Sequence, residues 1–214
     1  KLCQKSFWED ISNRRSPSHP AVKAFVVPKI KKIMEIISHK EYPELLEVGC
    51  GNGFFSNYLK NYWNVISLDR SKNMLSLNSY PKKIRGDVKR IPMSGNSFDI
   101  VFSANLLHHI ESPDVAVKEM KRVSKRYVVL IEPNRNNPLM FLFNMFMPIE
   151  RMGLKFSLNY LESLATNAGL NLLYSCSQGS IVPNKTPLSL IPVLSLINRE
   201  IPLGFYIMVI AEKN

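Results

Sequence analysis

The run Glu47-Val48-Gly49-Cys50-Gly51-Asn52-Gly53 sets three glycines at alternate positions, directly after the apolar stretch Leu45–Val48. Glycines there let the chain turn tightly and let a ligand lie against bare main chain. A helical stretch follows from about Phe54 to Asn61, and its first N–H groups can meet an anionic group such as a carboxylate. Asp69 closes the next apolar stretch, Val65–Asp69, where a carboxylate can accept both hydroxyls of a ribose. The glycine pattern is GxGxG, whereas the nicotinamide and flavin fingerprint needs its third glycine where Phe54 stands. Glu47 would repel a pyrophosphate and suits a ligand with an ammonium group. An adenosine ligand carrying an amino acid in place of a pyrophosphate is S-adenosyl-L-methionine.

These residues need a frame that brings the ends of neighbouring strands together. Strand patterns recur at Leu45–Val48, Val65–Asp69, Lys83–Arg85, Phe98–Ser103 and Tyr127–Ile131. Helical patterns lie between them, one of them capped by Ser71 and another running from Pro113 to Val123 with Ser112 as its N-cap. Such alternation predicts βαβ units and a parallel sheet. Residues 21–38 read as a helix that Pro28 bends or restarts. Ser157–Ala168 is a further helix closed by Gly169, and Leu170–Ser177 and Phe205–Ala211 are strand-like.

Over Leu45 to about Asn134 the chain resembles the cofactor-binding core of the class I S-adenosylmethionine-dependent methyltransferases, in their small-molecule branch. Leu46–Gly53 match the first motif of that family, and Asp69 in Ser67-Leu68-Asp69-Arg70-Ser71 matches its ribose-binding acid. Gly86-Asp87-Val88 match the stretch that meets the adenine, and Ser97–Val101 the fourth strand. Asn105-Leu106-Leu107-His108-His109-Ile110 match the segment passing close to the methyl donor. The resemblance implies an α/β fold: a Rossmann-like seven-stranded sheet, mostly parallel with an antiparallel last strand and helices on both faces. It implies S-adenosyl-L-methionine as cofactor, S-adenosyl-L-homocysteine as product, and a cofactor site of Glu47, Gly49, Cys50, Gly51, Asn52, Gly53, Asp69, Arg70, Asp87, Val88, Asn105 and Leu106.

His108 is the candidate general base, since an imidazole titrates in the right range. His108 and His109 are expected to point apart, as neighbours do on a strand or helix, so no metal site is expected. The sulfonium is already activated, so a methyltransferase of this kind mainly holds a nucleophile in line with the methyl group.

The 214 residues fit one domain: a basic N-terminal helical cap over 1–40, a cofactor core over 41–135, and lid insertions with a C-terminal hairpin over 136–214. Two apolar insertions, 138–148 and 187–197, are too short to span a membrane and read as lids over an apolar acceptor. The acceptor is therefore expected to be small and hydrophobic or lipid-like, with peripheral membrane contact a second expectation. Net charge is +11, and residues 1–40 hold nine Lys/Arg against three acids. That imbalance supports the rival reading of an RNA methyltransferase, although no separate nucleic-acid module is visible. A non-catalytic cofactor-binding protein is the other rival. Cys3, Cys50 and Cys176 are odd in number and lack CxxC spacing. With no charged-then-apolar leader in view, they point to a reducing, cytoplasmic setting.

Overall fold

The computed structural model describes residues 4–11 and 13–214, the side chains of 4–6 excepted. Its sheet has seven strands: β1 (Glu44–Val48), β2 (Asn64–Asp69), β3 (Lys83–Arg85), β4 (Phe98–Ala104), β5 (Ser124–Pro133), β6 (Leu170–Gln178) and β7 (Tyr206–Lys213). They lie in the order β3-β2-β1-β4-β5-β7-β6. The first five pair in parallel, and β7 runs antiparallel between β5 and β6. The seven-stranded, mostly parallel sheet is thus the one expected.

Among the described residues eight α-helices flank it: α1 (Gln4–Asp10), α2 (Pro20–Ile36), α3 (Ser56–Leu59), α4 (Lys72–Leu77), α5 (Pro113–Val123), α6 (Pro138–Phe146), α7 (Leu158–Asn167) and α8 (Ile191–Leu196). Period-2 alternation splits the apolar strands between two cores. Leu45, Ile100, Phe102, Val129, Ile131, Met208 and Ile210 pack with α2 on one face. Leu46, Val101, Val128, Leu130, Ile207 and Val209 pack with α5 and α7 on the other.

Three local readings change. Helix α2 runs unbroken through Pro28, although proline removes one helical donor. The carbonyl left over, that of Ala24, accepts a hydrogen bond from the Asn198 side chain at 2.7 Å, so a distant residue repairs what proline broke. The helix after the glycine loop shrinks to the single turn Ser56–Leu59. Ser112 stands at the start of α5 but its hydroxyl makes no capping bond, and Pro113 in the first turn fills one of the orphan-donor positions instead. Ser71 and Ser157 do cap, accepting from the amides of Met74 and Tyr160. Cys50 and Cys176 are buried free thiols, and Cys3 lies outside the described residues.

Candidate functional site at the β1–β4 switch

Strand order reverses direction between β1 and β4, because β1 leads outward to β2 and β3 while β4 leads to β5. Open α/β sheets bind ligands at the carboxyl ends of strands at such a point. The glycine loop leaves β1 there, and Gly49, Gly51 and Gly53 all take positive φ, at 72°, 51° and 86°. Space enforces glycine as well as angle. A Cβ on Gly49 would come 2.8 Å from the Leu106 side chain, and one on Gly53 would collide with Asn78.

Asp69 fixes the loop across the crevice. One carboxylate oxygen accepts from the amide of Gly51 and the other from that of Ser71, both at 2.8 Å. Burial raises its pKa, and these amides together with that of Arg70 pull the other way. Arg70 lies 3.7 Å from Asp87, both partly exposed, and Val88 beside them is buried. Asn52 donates to the carbonyl of Arg15 at 2.9 Å, and burial pushes the Cys50 thiol up.

Glu47 sits beneath the loop rather than at its mouth. It is buried and accepts from the hydroxyls of Ser56 and Ser67, the latter at 3.0 Å. Burial pushes its pKa up to about 7 against those hydrogen bonds. Its visible work is to tie β1, β2 and α3 together under the glycines.

The opposite wall follows β4. Asn105 adopts φ 53° and donates its amide to Ile131, while its side-chain oxygen is buried without a partner among the described residues. Glu132, fully buried at the end of β5, accepts from the amides of Leu106 at 3.0 Å and Leu107 at 2.8 Å. The same carboxylate meets Nδ1 of His108 at 2.5 Å, and Glu150 meets Nε2 at 3.0 Å. Burial opposes the imidazolium, but the charge of Glu132 and the hydrogen bonds that the ring donates to both carboxylates override it and raise His108 to about 10. His108 is therefore cationic at neutral pH with both ring nitrogens engaged, an arrangement suited to holding the turn rather than to taking a proton.

His109 goes the other way, lowered to about 3 by burial and by the neighbouring charge of His108. The two rings do not diverge as expected. The 3-10 turn Leu107–His109 brings their centroids to 3.9 Å, and the donor atoms of His108, His109 and Glu150 all lie within 4.8 Å of one another.

A strap from the N-terminal segment crosses the crevice. Its α1 end is held at α4, where Ser71 donates to the carbonyl of Trp8 at 2.9 Å and the amides of Lys72 and Asn73 reach Glu9. The Trp8 ring meets His109 edge-on at 4.9 Å. Arg14 is inserted between the rings of Trp8 and Phe54, at 5.3 and 5.4 Å, and feels the charges of both Glu150 and Asp69. Arg15 then donates to the carbonyls of Pro183 and Thr186, locking the strap to the C-terminal insertion.

Sequence reading found the loop, Asp69 and the turn, but missed Glu132 and Glu150. The available signal was Glu132, a lone acid directly after the apolar, buried run Tyr127–Ile131.

The residues present fit S-adenosylmethionine. Carboxylates and aromatic faces already surround one cation there, Arg14, as they would a sulfonium or ammonium. The Asn105 side-chain oxygen, without a partner among the described residues, offers an acceptor, and Asp69 stands at the carboxyl end of β2.

Residues 46–131 match the family model described as a methyltransferase domain. The chain is 34% identical over 86 residues to a malonyl-[acyl-carrier protein] O-methyltransferase of Buchnera aphidicola, covering 38% of this chain and 35% of that protein. It is 31% identical over 106 residues to a demethylmenaquinone methyltransferase of Staphylococcus carnosus, covering 44% of each. The matched stretches thus span about half or less of these curated relatives. A SAM-dependent methyltransferase of Thermotoga maritima, titled a possible histamine N-methyltransferase, shares the fold with TM-score 0.71 at 18% identity, over 90% of this chain and 92% of that one. With a methyltransferase-domain match over residues 46–131, this strand order and a glycine loop braced by Asp69, the chain resembles the class I S-adenosylmethionine-dependent methyltransferases.

Proposed function

We propose that the protein transfers a methyl group from S-adenosylmethionine to a small, apolar or lipid-like acceptor. The observation that carries this reading is the apposition, at the β1–β4 switch, of the Asp69-braced glycine loop and the turn held by Glu132. When bound, the cofactor supplies an activated methyl group; the chain's own residues bind, orient and exclude water. The glycine loop offers bare main chain to the amino-acid end, with Cys50 and Asn52 shaping it and Glu47 fixing it from below. Asp69 accepts the ribose hydroxyls, with Arg70 beside it. Asp87 and the Val88 amide take the adenine, and Asn105 and Leu106 line the methyl side. His108 positions that wall through its two carboxylates.

An apolar acceptor is supported by the groove of about 370 Å³ beside α6, lined by Leu139, Met140, Phe143, Val182, Lys185 and Phe205. The curated relatives named above act, by their names, on a malonyl-acyl carrier and on demethylmenaquinone, the latter apolar. The RNA reading loses part of its support, because several cations of the basic N-terminal segment are engaged within the fold. Lys29 is buried, Arg14 is half-buried against Trp8 and Phe54, Arg15 holds carbonyls, and Lys32 pairs with Glu35 and Glu200, while Lys23, Lys31 and Lys40 are exposed. Calorimetry with S-adenosylhomocysteine, then labelled-methyl transfer to apolar acceptors and to RNA, tests the reading. Transfer to RNA alone would overturn it.

A further inference from the structure

Helix α6 is inside out. Its buried residues are Met140 and Asn144, while Leu139, Phe141, Leu142, Met145 and Phe146 face solvent, Phe146 at 73% exposure. A surface helix serving its own core shows the opposite pattern. Helix α8 repeats it: Ile191 and Leu194 lean on the α2 core, while Val193, Leu196 and Ile197 face outward, Leu196 at 76%. Leu188, Leu190 and Leu203 extend the exposed apolar surface along the same insertion.

Helix α6 is tied to the segment that follows α8. Asn137, which caps α6, donates its side chain to the carbonyl of Leu203 at 2.6 Å, and the amide of Asn134 donates to Phe205 at 2.8 Å. Exposed apolar surface on this scale marks a contact site. The charges around it have one sign. Arg135, Arg151, Lys155, Lys185 and Arg199 are all exposed, whereas the exposed acid of these segments, Glu200, is held by Lys32 at 2.9 Å.

We infer that this face docks on an anionic phospholipid surface, its apolar side chains entering the acyl boundary and its basic rim meeting the head groups. Among the described residues no helix is long and apolar enough to cross a membrane, so the contact is interfacial. A second copy of the chain is the poorer occupant, because it would set one basic rim against another. The inference goes beyond the methyl-transfer reading and does not rest on it, since vesicle binding needs no cofactor.

Sedimentation of the full chain with phosphatidylcholine vesicles, with and without phosphatidylglycerol, tests it. The protein should pellet with the anionic vesicles and far less with the neutral ones, and added salt should release it. Phe146→Asp combined with Leu196→Asp should lower partitioning by more than about ten-fold. Lys185→Glu with Arg199→Glu should cost on the order of ten-fold on anionic vesicles alone. Unchanged thermal melting of each variant shows that it is folded. Wild-type chain that ignores both vesicles, or a folded Asp double variant that pellets like wild type, overturns the inference. So does a wild-type dimer that ignores vesicles and becomes monomeric with the Asp substitutions, which would make the face a self-interface.

Discussion

Two buried cations in this molecule are treated in opposite ways. His108, at the carboxyl edge of the sheet, lies between Glu132 and Glu150 and is raised to about 10. Lys29, in the α2 core, is equally buried, but among the described residues its ammonium meets the Phe25 carbonyl at 3.0 Å and the rings of Phe25 and Tyr206 at 3.9 and 4.8 Å, and no carboxylate. Burial therefore lowers it to about 7, against the weak opposing influence of Cys176. Both sites are buried; what differs is whether a carboxylate stands in contact. A low-dielectric interior expels a lone charge and keeps a paired one.

The contrast sets opposite pH slopes. The folded pKa of His108 lies above its ordinary 6.5, so its contribution is full below about 6.5 and is lost as pH rises through about 10. The folded pKa of Lys29 lies below its ordinary 10.5, so its cost is full below about 7 and fades as pH rises toward 10.5. In the intact protein the two slopes offset each other.

The largest break comes from Glu132→Gln. It leaves the buried His108 short of its closest partner and weakens the acceptor for the amides of Leu106 and Leu107. It should cost about 3–5 kcal/mol in urea unfolding, with stability now rising between pH 7 and 10. An unchanged midpoint would mean that Glu150 alone holds the imidazolium.

Lys29→Met removes the unpaired charge. It should stabilise the protein by about 2–3 kcal/mol at neutral pH, and stability should then fall as pH rises from 7 to 10. Destabilisation instead would show that the aromatic box is built around the ammonium.

Asp69→Ala extends the comparison to an acid held only by main-chain amides. S-adenosylhomocysteine should bind more weakly by roughly 1.5–3 kcal/mol in calorimetry. Equal affinity would remove Asp69 from the ribose site.

The smallest effect belongs to Asn198→Ala. It strips the partner from the carbonyl that Pro28 leaves open, one turn before Lys29, and should cost about 1 kcal/mol. A loss no larger than that of an exposed substitution would show that water serves the Ala24 carbonyl as well.

Much of this was written in local pattern. The five leading strands, the glycine loop and Asp69 were legible because period-2 apolar runs, positive-φ glycines and a strand-ending acid are properties of short segments. Pro28 misled because the repair of its broken bond comes from Asn198, far along the chain. His108 looked like a base because its type suggests one, and nothing near it in sequence announces Glu132 or Glu150. The insertions looked like lids because their composition is apolar, whereas the side they present is decided by what packs beneath them.

The sequence by itself determined the alternation of strands and helices, the conformations only glycine could take, and the family those motifs resemble. Tertiary structure decided charge state and facing. It set Glu132 and Glu150 on either side of one imidazole, left Lys29 with a carbonyl, and turned α6 and α8 outward. The reason is one of range. Backbone preferences act over a few residues, whereas Coulomb and desolvation energies depend on whichever groups folding brings within a few ångströms, whatever their separation along the chain.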